Sequence, residues 1–192
     1  MTEQKSIVVL VSGNGSNLQA IIDDISEHKI NAKISAVIAN QESAYALTRA
    51  ENAGIPALYI DHIDDFNPNL IVLAGFMRIL TSSFVEHFQG RMLNIHPSLL
   101  PKYKGLHTHQ RAIDAGDKEH GASVHFVTPE LDGGPVVLQS KVPVFEQQDE
   151  QELADRVQQQ VIKWFCEDRL KMINNRAVLD NQILAEEGYA IG

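Results

Sequence analysis

The segment "LNIHPSLLPKYKGLHTH", Leu93 to His109, gathers side chains that can do polar chemistry at the end of an apolar run. Asn94 and His96 stand two residues apart, so on a strand they project to the same face. An asparagine amide donates a neutral hydrogen bond. A histidine can donate, or hold a proton near neutral pH. Together they could stabilise an oxyanion, and one such donor is typically worth about 3 to 4 kcal/mol in a transition state. Alone, either residue reads as a polar group satisfied by backbone at a strand–loop junction. In "ELDGGPVV", Asp132 supplies a carboxylate that could orient and charge His96 or hold a proton-relaying water, in a turn whose Gly133 and Gly134 can take positive φ. An aspartate in a hairpin-like turn is the simpler reading of that residue taken singly.

Two further clusters invite comparison. "SGNGSNLQAI" follows a strand and opens a helix, so Gly13, Asn14, Gly15, Ser16 and Asn17 could present backbone N–H groups to an anion. A plain glycine-rich turn capped by Ser16 or Asn17 explains the same residues. No Gly-Lys-Ser/Thr follows, Leu18 fills the third glycine position of a dinucleotide fingerprint, and "VIAN" lacks an acidic residue for a ribose diol, which disfavours a dinucleotide. His107, His109, His120 and His125 tempt a metal reading, but without nearby cysteine or a recognised ligand spacing they fit hydrogen-bonding roles better. "AGFMRIL" is either core or the apolar wall of a flat-ligand pocket.

The elements that position these groups alternate. "SIVVLV", "KISAVIAN", "ALYI", "LIVLAG", "MLNIH", "ASVHFV" and "PVVLQSKVPV" read as strands. Between them lie helices opening at "SNLQAIIDDI", at "SAYALTRAENAGIP" with Ser43 as cap, and at "TSSFVEHFQG" with Thr81 or Ser82 as cap. A long helix follows at "DEQELADRVQQQVIKWF", with Leu153, Val157, Val161 and Trp164 on one side. This alternation predicts an α/β fold, a mostly parallel sheet with helices on both faces, whose ligands sit at the carboxyl ends of the strands. Three distant loops converge there. Only nine residues, "DHIDDFNPN", separate "ALYI" from "LIVLAG", fewer than the dozen a parallel crossover usually needs, which marks the connection as strained or unusual.

Composition sets the outer limits. The chain has 192 residues, ordinary apolar content, a formal charge of -9 and one cysteine, Cys166. That predicts one domain with a real core and no internal disulfide, disfavours nucleic acid as partner, and leads us to expect a cytoplasmic protein without membrane association.

The stretches "VLVSGNGSNLQAII", "LAGFMRIL", "NIHPSLLPKYKGLHTHQRAIDAGDKEHGASVHFVTPELDGGPVVLQSKVPV" and "DRLKM" resemble the folate-dependent phosphoribosylglycinamide formyltransferases through most of the chain. "HPSLLP" with "LDGGP" marks formyltransferases broadly; "SGNGSN" with "GLHTH" narrows the likeness. The resemblance implies a Rossmann-like formyltransferase fold with an antiparallel C-terminal portion. It implies a single domain over 1–192, with a phosphate-binding half at about 1–90 and a folate and catalytic half at about 91–192. It implies transfer of formyl from 10-formyltetrahydrofolate, a co-substrate, to the amine of glycinamide ribonucleotide, with no metal and no covalent intermediate. The catalytic trio would be Asn94, His96 and Asp132, and Gly13 to Asn17 would bind phosphate. Met77, Arg78, Ile79, Leu80, Glu130, Leu131, Gly133 and Gly134 would line the folate pocket, with His107, His125 and Gln158 in support. The protein would act as monomer or homodimer.

Two departures from that family stand out. Where its members carry a helical segment with an arginine, this chain has only "DHIDDFNPN"; where they carry a ribose-binding glutamate, "RVQQQ" runs directly into "VIKWF". Alternatives are a formyltetrahydrofolate hydrolase, a formyltransferase acting on methionyl-tRNA or an amino sugar, and a folate-binding variant without catalysis.

Overall fold

A computed structural model gives the architecture, and it describes residues 3–40, 44–59, 67–76, 79–144 and 150–191. The alternating apolar runs form a mixed sheet of eight strands. β1 (Lys5–Val11), β2 (Ala32–Ala39), β3 (Ala57–Tyr59), β4 (Leu70–Ala74) and β5 (Met92–His96) pair in parallel. β6 (Glu119–Phe126) and β7 (Val136–Pro143) continue the sheet antiparallel. The short β11 (Tyr189–Ile191) closes it in parallel on β7, and the order is β11-β7-β6-β5-β4-β1-β2-β3. A separate antiparallel sheet holds β8 (Leu170–Ile173), β9 (Arg176–Leu179) and β10 (Gln182–Ile183). The expected α/β fold with an antiparallel C-terminal part is thus found.

Strand alternation divides the core between two faces. Ile7, Val9 and Val11 point to one, Val8 and Leu10 to the other, and all are fully buried. On the first face pack α1 (Ser16–Ser26), α2 (Tyr45–Asn52) and α5 (Glu150–Cys166), through Leu18 and Ile21, Ala46 and Ala50, and Val157, Val161 and Ile162. Phe88, at the end of α3 (Ser82–His87), joins the second face. Thr81 caps α3 through its hydroxyl, as expected, whereas Ala44 precedes α2 with no side-chain cap; the proposed cap Ser43 lies outside the described residues. On α5 the buried stripe is Ala154, Val157, Gln158, Val161 and Ile162, with Leu153 and Trp164 only half-buried at its margins.

The short crossover has a geometric resolution. β3 does not neighbour β4: it sits at the sheet edge beyond β2 and β1. Three strand spacings amount to about 14 Å, and the return along a five-residue strand to about 17 Å. Ten residues lie between Tyr59 and Leu70 and can reach about 33 Å when extended, so no helix is required to make the connection. Most of "DHIDDFNPN" lies outside the described residues.

Candidate active site

β5 delivers Asn94 and His96 to one face at its carboxyl end, by the parity of the strand. Across the antiparallel β5–β6 ladder the residue facing Asn94 is His125, and the one facing His96 is Ser123. Cross-strand partners share a face, so the sheet itself places a second histidine beside the asparagine. Asn94 Nδ2 lies 3.3 Å from His125 Nε2, and His125 Nδ1 lies 2.9 Å from the Phe126 carbonyl oxygen. A carbonyl only accepts, so Nδ1 carries the proton and Nε2 accepts from the amide. One Asn94 N–H is spent on this bond, which fixes the amide's orientation, and the second is left to serve a ligand.

Burial pushes the His125 imidazole below its ordinary range, outweighing the Phe126 carbonyl and the nearby Asp132 carboxylate. The unfolded chain therefore binds this proton more readily. The stability associated with neutral His125 is complete above about pH 6.5 and is lost as pH falls through the lower folded value. We expect His125→Asn to be less stable than the parent at pH 7.5 but to lose less stability between pH 7.5 and 5, as read by urea unfolding. An unchanged slope would remove His125 from the acid response.

Asp132 arrives from the loop between β6 and β7. One carboxylate oxygen, Oδ2, accepts the Gly105 N–H at 2.9 Å and lies 3.5 Å from His96 Nδ1, while Oδ1 lies 3.9 Å from His125 Nε2. His96 Nε2 lies 2.8 Å from the Tyr103 carbonyl oxygen. Both ring nitrogens of His96 thus face oxygen acceptors, and a ring carrying two protons can donate at both. The side chains of His96 and Asp132 are 7% and 9% exposed, so this pairing is shielded from bulk water.

Asp132 itself takes the left-handed conformation, φ 49°, while Gly133 and Gly134 do not. Aspartate tolerates that region through local hydrogen bonding. The glycines are needed for close approach: a Cβ on Gly134 would stand 1.8 Å from the Phe126 carbonyl oxygen, and one on Gly133 2.3 Å from Glu130 Cδ.

At the carboxyl end of β1, Gly15 is the N-cap of α1 at φ 77°, and no side chain caps the helix. Ser16 and Asn17 therefore fall inside the first turn, where they were open as caps from sequence. The uncapped helix start is suited to an anion. A Cβ on Gly15 would meet Ala46 Cβ at 2.6 Å, so the loop is pressed onto α2. Arg49 of α2 grips it, donating to the Asn14 carbonyl at 2.8 Å and the Asn14 Oδ1 at 3.3 Å. Sequence reasoning passed over Arg49, and the only signal was a basic residue in the last turn of the next helix.

The remaining expected residues divide. Ile79 and Leu131, with Leu106, are exposed large apolar side chains on loops, as an apolar ligand wall requires. Exposed Glu130 accepts from Lys104 Nζ at 2.9 Å, and Leu80 is half-buried. Met77 and Arg78 lie outside the described residues. A cleft of about 280 Å³ beside Asp132 is bordered by Gly133, Gly134, Arg176 and Glu186, but not by Ile79, Leu80, Glu130 or Leu131. His107 is exposed at the left-handed N-cap of α4 (Thr108–Asp114), outside the hydrogen bonds that join the trio. His109 and His120 stack edge to face at 4.9 Å. Among the described residues no group of three or more His, Cys, Asp or Glu is arranged to hold a metal. Gln158 is buried in α5 with its Nε2 unpartnered.

Comparison with known proteins gives this arrangement a family. The formyl transferase family matches residues 5–64 and 59–168. The match divides at the β3–β4 connection, the place of the first shortened segment. Phosphoribosylglycinamide formyltransferase of Escherichia coli (strain K12) is 53% identical over 208 positions, covering 96% of this chain and 98% of the relative. That alignment is longer than the 192-residue chain, so the relative carries residues this chain lacks. The structure of phosphoribosylglycinamide formyltransferase from Coxiella burnetii, in complex with CHES, superposes with a TM-score of 0.90 at 45% identity, covering 99% of this chain and all of that one. A formyltetrahydrofolate deformylase from Pseudomonas putida shares the fold at TM-score 0.78, with 22% identity. The chain belongs to the formyl transferase family, among its phosphoribosylglycinamide formyltransferases.

Proposed function

We propose that this formyltransferase moves the formyl carbon of 10-formyltetrahydrofolate onto the amine of glycinamide ribonucleotide, giving formylglycinamide ribonucleotide and tetrahydrofolate. The observation that carries the reading is the convergence of Asn94, His96 and Asp132 in one shielded cluster, in a chain 53% identical to a curated enzyme of that name. The amine attacks the formyl carbon directly. The uncommitted Asn94 N–H meets the developing alkoxide. That alkoxide is a charged acceptor and competes with the neutral Tyr103 carbonyl for the His96 Nε2 proton. Asp132, facing His96 Nδ1, supports the doubly protonated ring and assists movement of the amine proton toward the folate nitrogen, through water.

Division of labour follows the two ends of the chain. The uncapped start of α1, held by Arg49, takes the substrate phosphate in the half at about 1–90. The exposed apolar loops around Ile79, Leu106 and Leu131 flank the folate, and the half at about 91–192 supplies the chemistry. In place of the absent glutamate, the unpartnered Gln158 amide is a donor that a substrate oxygen can satisfy. No helix among the described residues is long and apolar enough to cross a membrane, and a cytoplasmic location is part of this proposal.

Purified chain is mixed with 10-formyltetrahydrofolate, with and without glycinamide ribonucleotide, while tetrahydrofolate release and formylated product are followed. Product that requires the ribonucleotide is expected. Folate turnover without it would replace this reading by a hydrolase, and folate binding without turnover by a non-catalytic variant.

A further inference from the structure

One short loop touches both reactive side chains through its backbone. In residues 102–106, the Tyr103 carbonyl takes His96 Nε2 at 2.8 Å, and the Gly105 N–H binds Asp132 Oδ2 at 2.9 Å. The spacing between His96 and Asp132 is therefore set by the shape of this loop. That shape is costly. Tyr103 sits at φ 54°, where a side chain with a Cβ is disfavoured, and Gly105 and His107 follow at φ 84° and 57°. Such a conformation persists only where the surroundings over-determine it.

The restraints lie on the side away from the chemistry. The Tyr103 hydroxyl donates to Asp117 Oδ2 at 2.7 Å, and Lys102 Nζ reaches the same carboxylate at 3.1 Å. Asp117 is itself seated just after α4 by its N–H on the Ala112 carbonyl, 3.0 Å. The Arg111 guanidinium lies over the Tyr103 ring, 5.2 Å from its centroid, and donates to the Lys104 carbonyl at 2.7 Å. Ser98 Oγ holds the Lys102 carbonyl at 2.6 Å. The Tyr103 hydroxyl is the largest cause holding the Asp117 carboxyl below its usual range, and Asp117 in turn raises the phenol. The carboxylate and phenol therefore keep their charge states across the neutral range, so the restraint does not titrate where the enzyme works.

We propose that Asp117, Tyr103 and Arg111 form a positioning clamp that keeps the loop in its left-handed conformation and so registers His96 against Asp132. Departure of residues 103–105 from this conformation would loosen both the Tyr103 carbonyl's hold on His96 Nε2 and the Gly105 N–H's hold on Asp132. None of the three clamp side chains enters the hydrogen bonds of the trio, so they act through the loop backbone and are positioning residues. The inference rests on the assignment of His96 and Asp132 to catalysis.

The test uses the full chain and a double-mutant cycle. Tyr103→Phe removes the hydroxyl but leaves the ring beneath Arg111. We expect kcat to fall about tenfold with KM for both substrates little changed, since small misplacements of catalytic groups cost rate rather than binding. Asp117→Ala should fall equally, and the pair Tyr103→Phe/Asp117→Ala no further than either single. Asp117→Asn, which still accepts from the phenol, should restore most of the rate. In 15N-histidine NMR, the His96 Nε2 resonance, identified by its loss in His96→Gln, should move in the two disabling variants and return in Asp117→Asn. Additive losses, an unmoved His96 resonance, or a lowered Tm with unchanged kcat would each overturn the clamp. Asp132→Asn run alongside keeps the two failures apart. Full activity in that variant would sink the catalytic assignment and with it the clamp's effect on rate, whereas the NMR response would still report whether the loop holds His96.

Discussion

Asp132→Asn is expected to lower kcat for formyl transfer by roughly 10²- to 10⁴-fold, the range a positioned acid–base group typically contributes. Asparagine has the same shape and tolerates the left-handed φ of 49° found at this position, so the loop should keep its course. Its amide oxygen can still accept from Gly105 N–H, the 2.9 Å bond that seats the side chain. What disappears is the negative charge 3.5 Å from His96 Nδ1 and the capacity to take a proton. Both matter most in the transition state, so kcat and kcat/KM should fall together while KM for the ribonucleotide holds. Steady-state kinetics with both substrates, beside a thermal melt to show an intact fold, make the check. A variant with parental kcat would remove Asp132 from the chemistry.

Gly134→Ala should have the largest effect on stability. A Cβ there would lie 1.8 Å from the Phe126 carbonyl oxygen and 2.9 Å from its carbon, both backbone, with Thr128 Cγ2 at 3.2 Å. Neither strand can give way cheaply, because the Phe126 N–H is bonded to the Pro135 carbonyl at 3.0 Å. Overpacking of this kind costs about 1 to 3 kcal/mol and at times more. The damage extends to the site. The displaced Phe126 carbonyl is also the acceptor for His125 Nδ1, whose tautomer orients Asn94. We therefore expect a lower urea midpoint together with a lower kcat in the protein that remains folded. Gly13→Ala is the contrast: its added Cβ meets nothing within 4 Å, and stability should stay within about 0.5 kcal/mol of the parent. Equal midpoints for the two variants would show that the β6–β7 loop can move aside.

The strand runs, the helix after "SGNGSN" and the shared face of Asn94 and His96 were legible in the residues, because strand parity and helix periodicity are local and survive in any context. The nine-residue crossover was legible as short, but the span it makes, from the sheet edge at β3 past β2 and β1 to β4, is set by the strand order. Propensity allowed positive φ at the glycines of the "DGG" turn; the loop places it on Asp132 and uses the glycines for contact with backbone and with Glu130.

What lay beyond the sequence are the long-range pairings. His125 faces Asn94 only because β6 runs antiparallel to β5 in one register, and a slip of one residue would turn the imidazole to the other face. Arg49 secures the glycine-rich loop before α1 from 35 positions away, and Gly105 seats Asp132 from 27. The sequence by itself determined which groups are available and which neighbours along a strand share a face. Only the tertiary structure decided which of them meet, since that depends on register, on strand order and on where a left-handed loop turns its carbonyl.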